Sequence, residues 1–312
     1  MIRIVTDIRD LIVSTFHKAA DDDIITQGAA IAFYTIFSIT PLFILIVSMS
    51  GLFLSEELIT GQLRDQLNDY LGEEIAANMT QFIQSHSFSS ANLWTSIAAT
   101  GIIIFGATTV INQLKLTLNR IWNIHTIRIS TFSRFLLNRL LSFGMIIIFS
   151  LLLLVSLLAE GMIGLTSALF TEMLPAVPLD FYRVLSQIAT TGFAVLFFTL
   201  IFKILPDVHA RWKDVLVGAV VTTLLFLLGK YLIGLYLSAT GIQTAYRAAG
   251  SLVIFVIWVY YNIQTILLGA VFTQVYTEMF GGRILPYKFV KLKEMTGLNR
   301  LHKQRKKPDS DS

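Results

Sequence analysis

The sequence predicts an all-α integral membrane protein with six transmembrane helices and an amphipathic helical segment outside the membrane between the first and second. Of its 312 residues 54% are hydrophobic and 14% charged, whereas soluble domains carry about 25% charge. The apolar residues fall into six blocks, each close to the ~20 residues that cross a ~30 Å hydrocarbon core as a helix. Lysine and arginine gather in alternate connections between those blocks, the asymmetry that orients a multi-pass chain. Cysteine is absent, which excludes a disulfide framework and a thiolate metal site and leaves the outer loops to hold their shape by packing.

The elements follow in chain order. Residues 1–28 form an arm in which Ile4, Ile8, Leu11, Ile12 and Phe16 share one helical face, so the arm is expected to lie in the cytoplasmic interface. Its charges interrupt any long apolar core, and no cleavable signal peptide is expected. Asp21, Asp22 and Asp23 stand just before the first span, where carboxylates suit the free N–H groups and the dipole of a helix start better than a metal site. The spans themselves are read at about 29–53, 92–112, 140–165, 184–205, 215–237 and 250–275, giving a transmembrane domain over 29–275. In the external loop, 55–91, the positions Ile59, Leu63, Leu67, Tyr70, Leu71, Ile75, Met79, Phe82 and Ile83 recur at helical spacing. Its opposite face is acidic, which favours docking on the bundle over lying in anionic lipid. From 276 to 312 the chain is a basic cytoplasmic tail whose end, RLHKQRKKPDSDS, has the composition of a disordered segment.

Orientation is read from the connections. Arg3, Arg9 and Lys18 lie in the arm, Lys115, Arg120, Arg128, Arg134 and Arg139 after the second span, Lys203, Arg211 and Lys213 after the fourth, and nine basic residues after position 276. The alternate connections hold Arg64, Arg183 and Arg247. Both termini are therefore expected in the cytoplasm. The formal charge of +4 is then a topology signal, and no nucleic-acid partner is expected. The partner is the bilayer, with Lys115, Arg120, Arg134 and Arg139 as candidate contacts for anionic headgroups.

Within the spans, polar residues mark candidate sites because hydrocarbon penalises them. Pro41 removes one backbone donor near mid-membrane and is expected to break or kink the first helix, as packing or as function. Lys230 interrupts LLFLLGKYLIGLYL in the fifth span. Two readings stand for it. Either its stem snorkels to the surface, or it points inward with Ala219, Thr223, Gly234 and Ser238 and lies close to Glu160 of the third span or to the tyrosine and asparagine group of the sixth. The sixth span adds Tyr260, Tyr261, Asn262 and Gln264 near mid-membrane. The five histidines stand alone, and no metal, cofactor or phosphate-cradling loop is expected.

Four stretches in order resemble the YihY/BrkB family of bacterial inner-membrane proteins: AAIAFYTIFSITPLFIL, GATTVINQLKLTLNRIW, KILPDVHARWKDVLVGAVVTTLLFLLGK and AAGSLVIFVIWVYYNIQTILLGAVFTQVY. The resemblance implies a six-helix protein of the bacterial cell inner membrane with a transport-like or virulence-associated role, some members being linked to lipid export. The family commonly reads GAEFT where this chain reads GAVFT, so Val271 replaces a glutamate, and Glu278 two turns on is the nearest substitute. The label ribonuclease BN, which the family has carried, needs clustered ligands for a metal, and the five lone histidines here show no HxHxDH-like spacing. The expected function is that of a transporter or exporter without nucleotide hydrolysis, not an enzyme. The alternatives are a lipid-handling protein that moves phospholipid or lipid A precursors, and a non-transporting scaffold.

Overall fold

The computed structural model describes residues 2–50, 77, 93–126, 139–152, 154–155, 179–240, 247–281, 285–286 and 290–292, with side chains over a narrower set. The amphipathic arm becomes helix α1 (Ile2–Asp21), and the long apolar runs become α2 (Ile24–Ser50), α3 (Leu93–Ile121), α4 (Arg139–Leu152), α5 (Leu179–Ile204), α6 (Trp212–Thr240) and α7 (Arg247–Phe280). Helix α3 ends where Asn123 takes a left-handed conformation at φ 54°, a C-terminal stop that asparagine tolerates. Helix α5 ends two residues before Pro206, which cannot continue it.

Three of these helices are long and apolar enough to cross a membrane, over Gln187–Ile204, Trp212–Ile233 and Phe255–Phe280. They coincide with the fourth, fifth and sixth expected spans. Shorter apolar helices, Ile24–Ser38 and Arg139–Leu152, fall within the first and third. The expected external segment and the end of the tail lie outside the described residues. Helix α2 runs without interruption through Pro41, which corrects the expected break: one missing N–H need not stop a helix whose other bonds persist. The Pro41 side chain is outside the described set.

Helix α7 is the hub. It packs against α1, α2, α3 and α6, while α2 also packs on α3 and α5 on α6. Its contact with α6 is set by two matching sequences, GAVVT at 218–222 and GAVFT at 269–273. A Cβ added to Gly218 would lie 1.8 Å from Thr273 Oγ1, and one added to Gly269 would lie 1.9 Å from Thr222 Oγ1. Each threonine thus fills the notch left by the other helix's glycine. The hydroxyls are satisfied at home, Thr222 donating to Gly218 O at 2.7 Å and Thr273 to Gly269 O at 2.6 Å. Small residues that let backbones approach are how helices associate in lipid, where apolar burial gives no preference for protein over tails. Ala219, Ala270 and Val271 are fully buried around the crossing. One turn beyond Thr222 on α6, Phe226 meets Phe198 of α5 with ring centroids 6.1 Å apart.

Two short antiparallel pairs close one end of this bundle. Strand β1 (Ile124–Thr126), directly after α3, pairs with β4 (Val290–Leu292), and β2 (Val208–His209), between α5 and α6, pairs with β3 (Leu285–Pro286). The segment after α7 therefore runs back across the connections that follow α3 and α5.

The crossing predicts a coupled pair. Gly218→Ala should destabilise the protein in detergent by about 1–3 kcal/mol through overpacking. Adding Thr273→Ala should restore much of that loss, with a coupling of about 0.5–3 kcal/mol in a double-mutant cycle. Strictly additive changes in thermal midpoint would remove the crossing from its structural role.

Candidate functional site

The polar residues expected to form an intramembrane site are present on α7 but do not converge. Tyr261 Oη donates to Leu225 O of α6 at 2.7 Å, filling the notch at Gly229, where a Cβ would meet the ring at 1.9 Å. Asn262 Nδ2 turns back along its own helix to Trp258 O at 2.7 Å. Gln264 Nε2 reaches Ile25 O at 3.2 Å in the first turn of α2 and lies over Gly28. Tyr260 is half-buried beside them. Tyr261 and Gln264 seat α7 on two different helices, and Asn262 serves its own.

Lys230 is exposed, which corrects the inward reading. The face that α6 turns to its neighbours carries Val215, Gly218, Ala219, Thr222, Thr223 and Gly229, and Lys230, one residue beyond Gly229, is rotated about 100° from it. Ala219 and Thr223 of the expected stripe are buried; Gly234, Ser238 and Glu160 lie outside the described side chains. Exposed Leu228, Tyr231 and Leu232 flank the lysine. From Lys213 to Lys230 the helix rises about 26 Å, close to the ~30 Å of a hydrocarbon core. A lysine at such a boundary can place its ammonium among headgroups while its stem stays in the apolar layer.

The ionic groups that are held in place, Arg139 apart, gather instead at the end of the bundle where the strands lie. Lys115 Nζ stands 3.0 Å from Asp207 Oδ1, with its side chain 9% exposed. Asn119 Nδ2 donates to Asp207 Oδ2 at 2.9 Å, and Asp207 N donates to Asn119 Oδ1 at 2.8 Å. Lys115 is therefore a buried tie between α3 and the turn after α5, and its expected role as a headgroup contact is corrected. Arg139 is likewise engaged, donating to Phe105 O at 2.9 Å, Thr108 Oγ1 at 2.7 Å and Thr109 Oγ1 at 3.0 Å, with its guanidinium 4.0 Å from the Phe105 ring centre. It joins α4 to α3. Arg120 is exposed and free of that correction; Arg134 lies outside the described residues. Lys203 donates to Ala210 O and lies 5.2 Å from the ring centre of Trp212.

A fourth group joins α1 to α7, and sequence reasoning missed it. Lys18 Nζ pairs with Asp22 Oδ2 at 3.0 Å, the two side chains 10% and 13% exposed. Burial holds the Asp22 carboxyl above its ordinary range, although Lys18 pulls the other way. On α7, Gln274 Nε2 donates to Glu278 Oε1, and Glu278 is within electrostatic reach of both Lys18 and Asp22. Asp22 thus turns back on Lys18, while the carbonyl of Asp23 accepts from Gln27 N and opens α2. In the arm, Leu11 and Lys18 face the protein while Ile8, Ile12 and Phe16 remain 47–60% exposed. Among the described residues no three His, Asp or Glu stand together as a metal site.

The tie at Asp207 is testable. Lys115→Met should cost about 1–3 kcal/mol by leaving a partly buried carboxylate without its cation, and Asp207→Asn added to it should recover most of the loss. Equal thermal midpoints for the single and double variants would show that the pair does not tie α3 to this turn.

Residues 15–288 match the family model described as "Virulence factor BrkB". Among curated proteins, the chain is 28% identical over 289 residues to a UPF0761 membrane protein of Mannheimia succiniciproducens, covering 89% of this chain and 94% of that one. It is 26% identical over 260 residues to a UPF0761 membrane protein of Actinobacillus pleuropneumoniae serotype 5b, covering 81% and 90%. It is 24% identical over 262 residues to one of Stenotrophomonas maltophilia strain K279a, where the match covers 82% of this chain but 58% of the longer relative. No solved structure matches the chain.

Proposed function

We propose that this chain, a membrane protein that belongs to the BrkB virulence-factor family, works as a six-span inner-membrane exporter that handles anionic lipid and hydrolyses no nucleotide of its own. The observation that carries the reading is the outer surface of α6. Exposed Arg211 and Lys213 stand at its start, exposed Leu216, Val220, Leu224 and Leu228 follow at four-residue spacing, and exposed Lys230 stands at the far end. Exposed cations near both ends of a helix whose outer surface is apolar suit a molecule with an acidic headgroup and acyl chains. A soluble-solute transporter would need a convergent polar site, and Tyr261, Asn262 and Gln264 are committed to helix packing instead. In liposomes assayed in parallel for scrambling of anionic lipid and for small-solute flux, wild-type protein should move lipid, and Lys230→Gln should slow it several-fold. Solute flux without lipid movement would replace this reading with the solute transporter, and neither activity would favour the scaffold.

The same proposal places both termini in the cytoplasm. Its support is that the connection after α3, the turn after α5 and the segment after α7 meet in the two strand pairs, so one face of the membrane must hold all three. Reporters fused after Ser87 and Ala176 should read as external, and those after Ile129 and Lys307 as cytoplasmic. A cytoplasmic signal at Ser87 would overturn the six-span topology.

A further inference from the structure

Gln274 is 1% exposed, and its Oε1 has no hydrogen-bond partner. An acceptor buried in that way has given up its water without a replacement, so the group beside it decides whether the cost persists. That group is the carboxyl of Glu278, one turn along α7, to which the Gln274 amide nitrogen already donates. An ionised carboxylate can only accept, and it leaves the amide oxygen as it is. A protonated carboxyl presents one donor and one acceptor, the complement of a primary amide. Turned to face it, the amide would accept from the acid O–H and donate to the second acid oxygen. One proton therefore satisfies both side chains.

Charge points the same way. With every group ionised, Lys18, Asp22 and Glu278 carry a net charge of −1 in a largely buried setting, and a proton brings the set to zero, which burial favours. Of the charged groups around them, Asp21 adds negative charge near Asp22, and Arg120 of α3 adds positive charge to the same carboxylate from an exposed position. From α6, Asp214 stands against Gly281, whose added Cβ would lie 2.6 Å from its Oδ2, an oxygen that also lacks a hydrogen-bond partner.

We propose that Glu278 carries an exchangeable proton, held with Gln274 and balanced against the Lys18–Asp22 pair, and that release of this proton loosens α1 from α7. The site is a monoprotic acid, Glu–COOH giving Glu–COO⁻ and H⁺ to water at the bundle end. Its use as the coupling-ion site of an exporter without nucleotide hydrolysis rests on the reading in the previous subsection; its existence rests on the unpartnered Gln274 oxygen beside Glu278 and on the charge balance around them.

Hydrogen exchange of the full chain in nanodiscs, corrected for intrinsic exchange, tests it. Protection of residues around Lys18 and Glu278 should fall several-fold as pH rises in the wild type. In Glu278→Gln, a mimic of the protonated acid, it should stay high at every pH, while Asp22→Asn should keep a pH-dependent transition. A wild-type transition that persists in Glu278→Gln, or protection independent of pH in the wild type, would overturn the proposal. So would a transition abolished by Asp22→Asn and not by Glu278→Gln, because the proton would then reside on Asp22. Should Glu278→Gln fail to fold, Lys18→Met serves in its place. Loss of the neighbouring cation must displace the transition, and an unmoved transition counts against the site. These outcomes do not depend on lipid movement, so a failed transport assay sinks the exporter reading and leaves the proton site standing.

Discussion

The arrangement of helices depends on how closely α6 and α7 approach. In a bilayer the tails solvate leucine as well as a neighbouring helix does, so attraction must come from packing and polar contacts at short range. Thr222 and Thr273 each occupy the space over a glycine of the facing helix while bonding to a glycine carbonyl of their own. The pattern Gly-Ala-Val-x-Thr occurs in both helices of the contact, which run in opposite directions. With that contact set, Tyr261 falls over Gly229, and the opposite faces of α7 are left to receive Gln264 against α2 and Glu278 against α1.

This division of labour explains how the hub helix can carry many polar residues whose hydrogen bonds serve helix packing. Thr222, Thr273, Thr277, Tyr261, Asn262 and Gln264 each donate to a carbonyl one turn back or on an adjoining helix. Charge is held farther along, at the end closed by the strands, where Asp207 collects Lys115 and Asn119, and Lys18 faces Asp22. Val271, in the position where the resembled family commonly has glutamate, is fully buried and adds to packing alone.

The apolar blocks were legible because helix length against membrane thickness is a one-dimensional property of the chain; the fourth to sixth blocks return as α5, α6 and α7 with ends shifted by a few residues. Family membership was legible from four local stretches, now supported by a match over residues 15–288. Side-chain direction was not. A one-position error turns a helix by about 100°, enough to move Lys230 from the bundle to its surface and to hand the inward place to Gly229. Basic residues near the membrane all looked alike as headgroup contacts, yet Lys115 is claimed by Asp207, 92 residues away, through a turn whose position no local pattern announces. The Lys18 group shows the limit plainly: its i,i+4 pairs, Lys18 with Asp22 and Gln274 with Glu278, are visible in the sequence, but their meeting depends on α1 docking against α7.

The strand pairs add a constraint in time. Residues 124–126 find their partners only at 290–292, and 208–209 theirs at 285–286, so during synthesis each waits with an open edge while the intervening helices are inserted. Unpaired edges invite pairing with other chains, and contacts so distant in sequence form late. Both open edges are brief, a few residues each, which limits the hazard. Assembly at this end is therefore ordered by translation: α3 can meet α2 early, but the closing stitch is made after α7 has entered the bilayer, and a ribosome that stalls inside α7 leaves both seams undone at once.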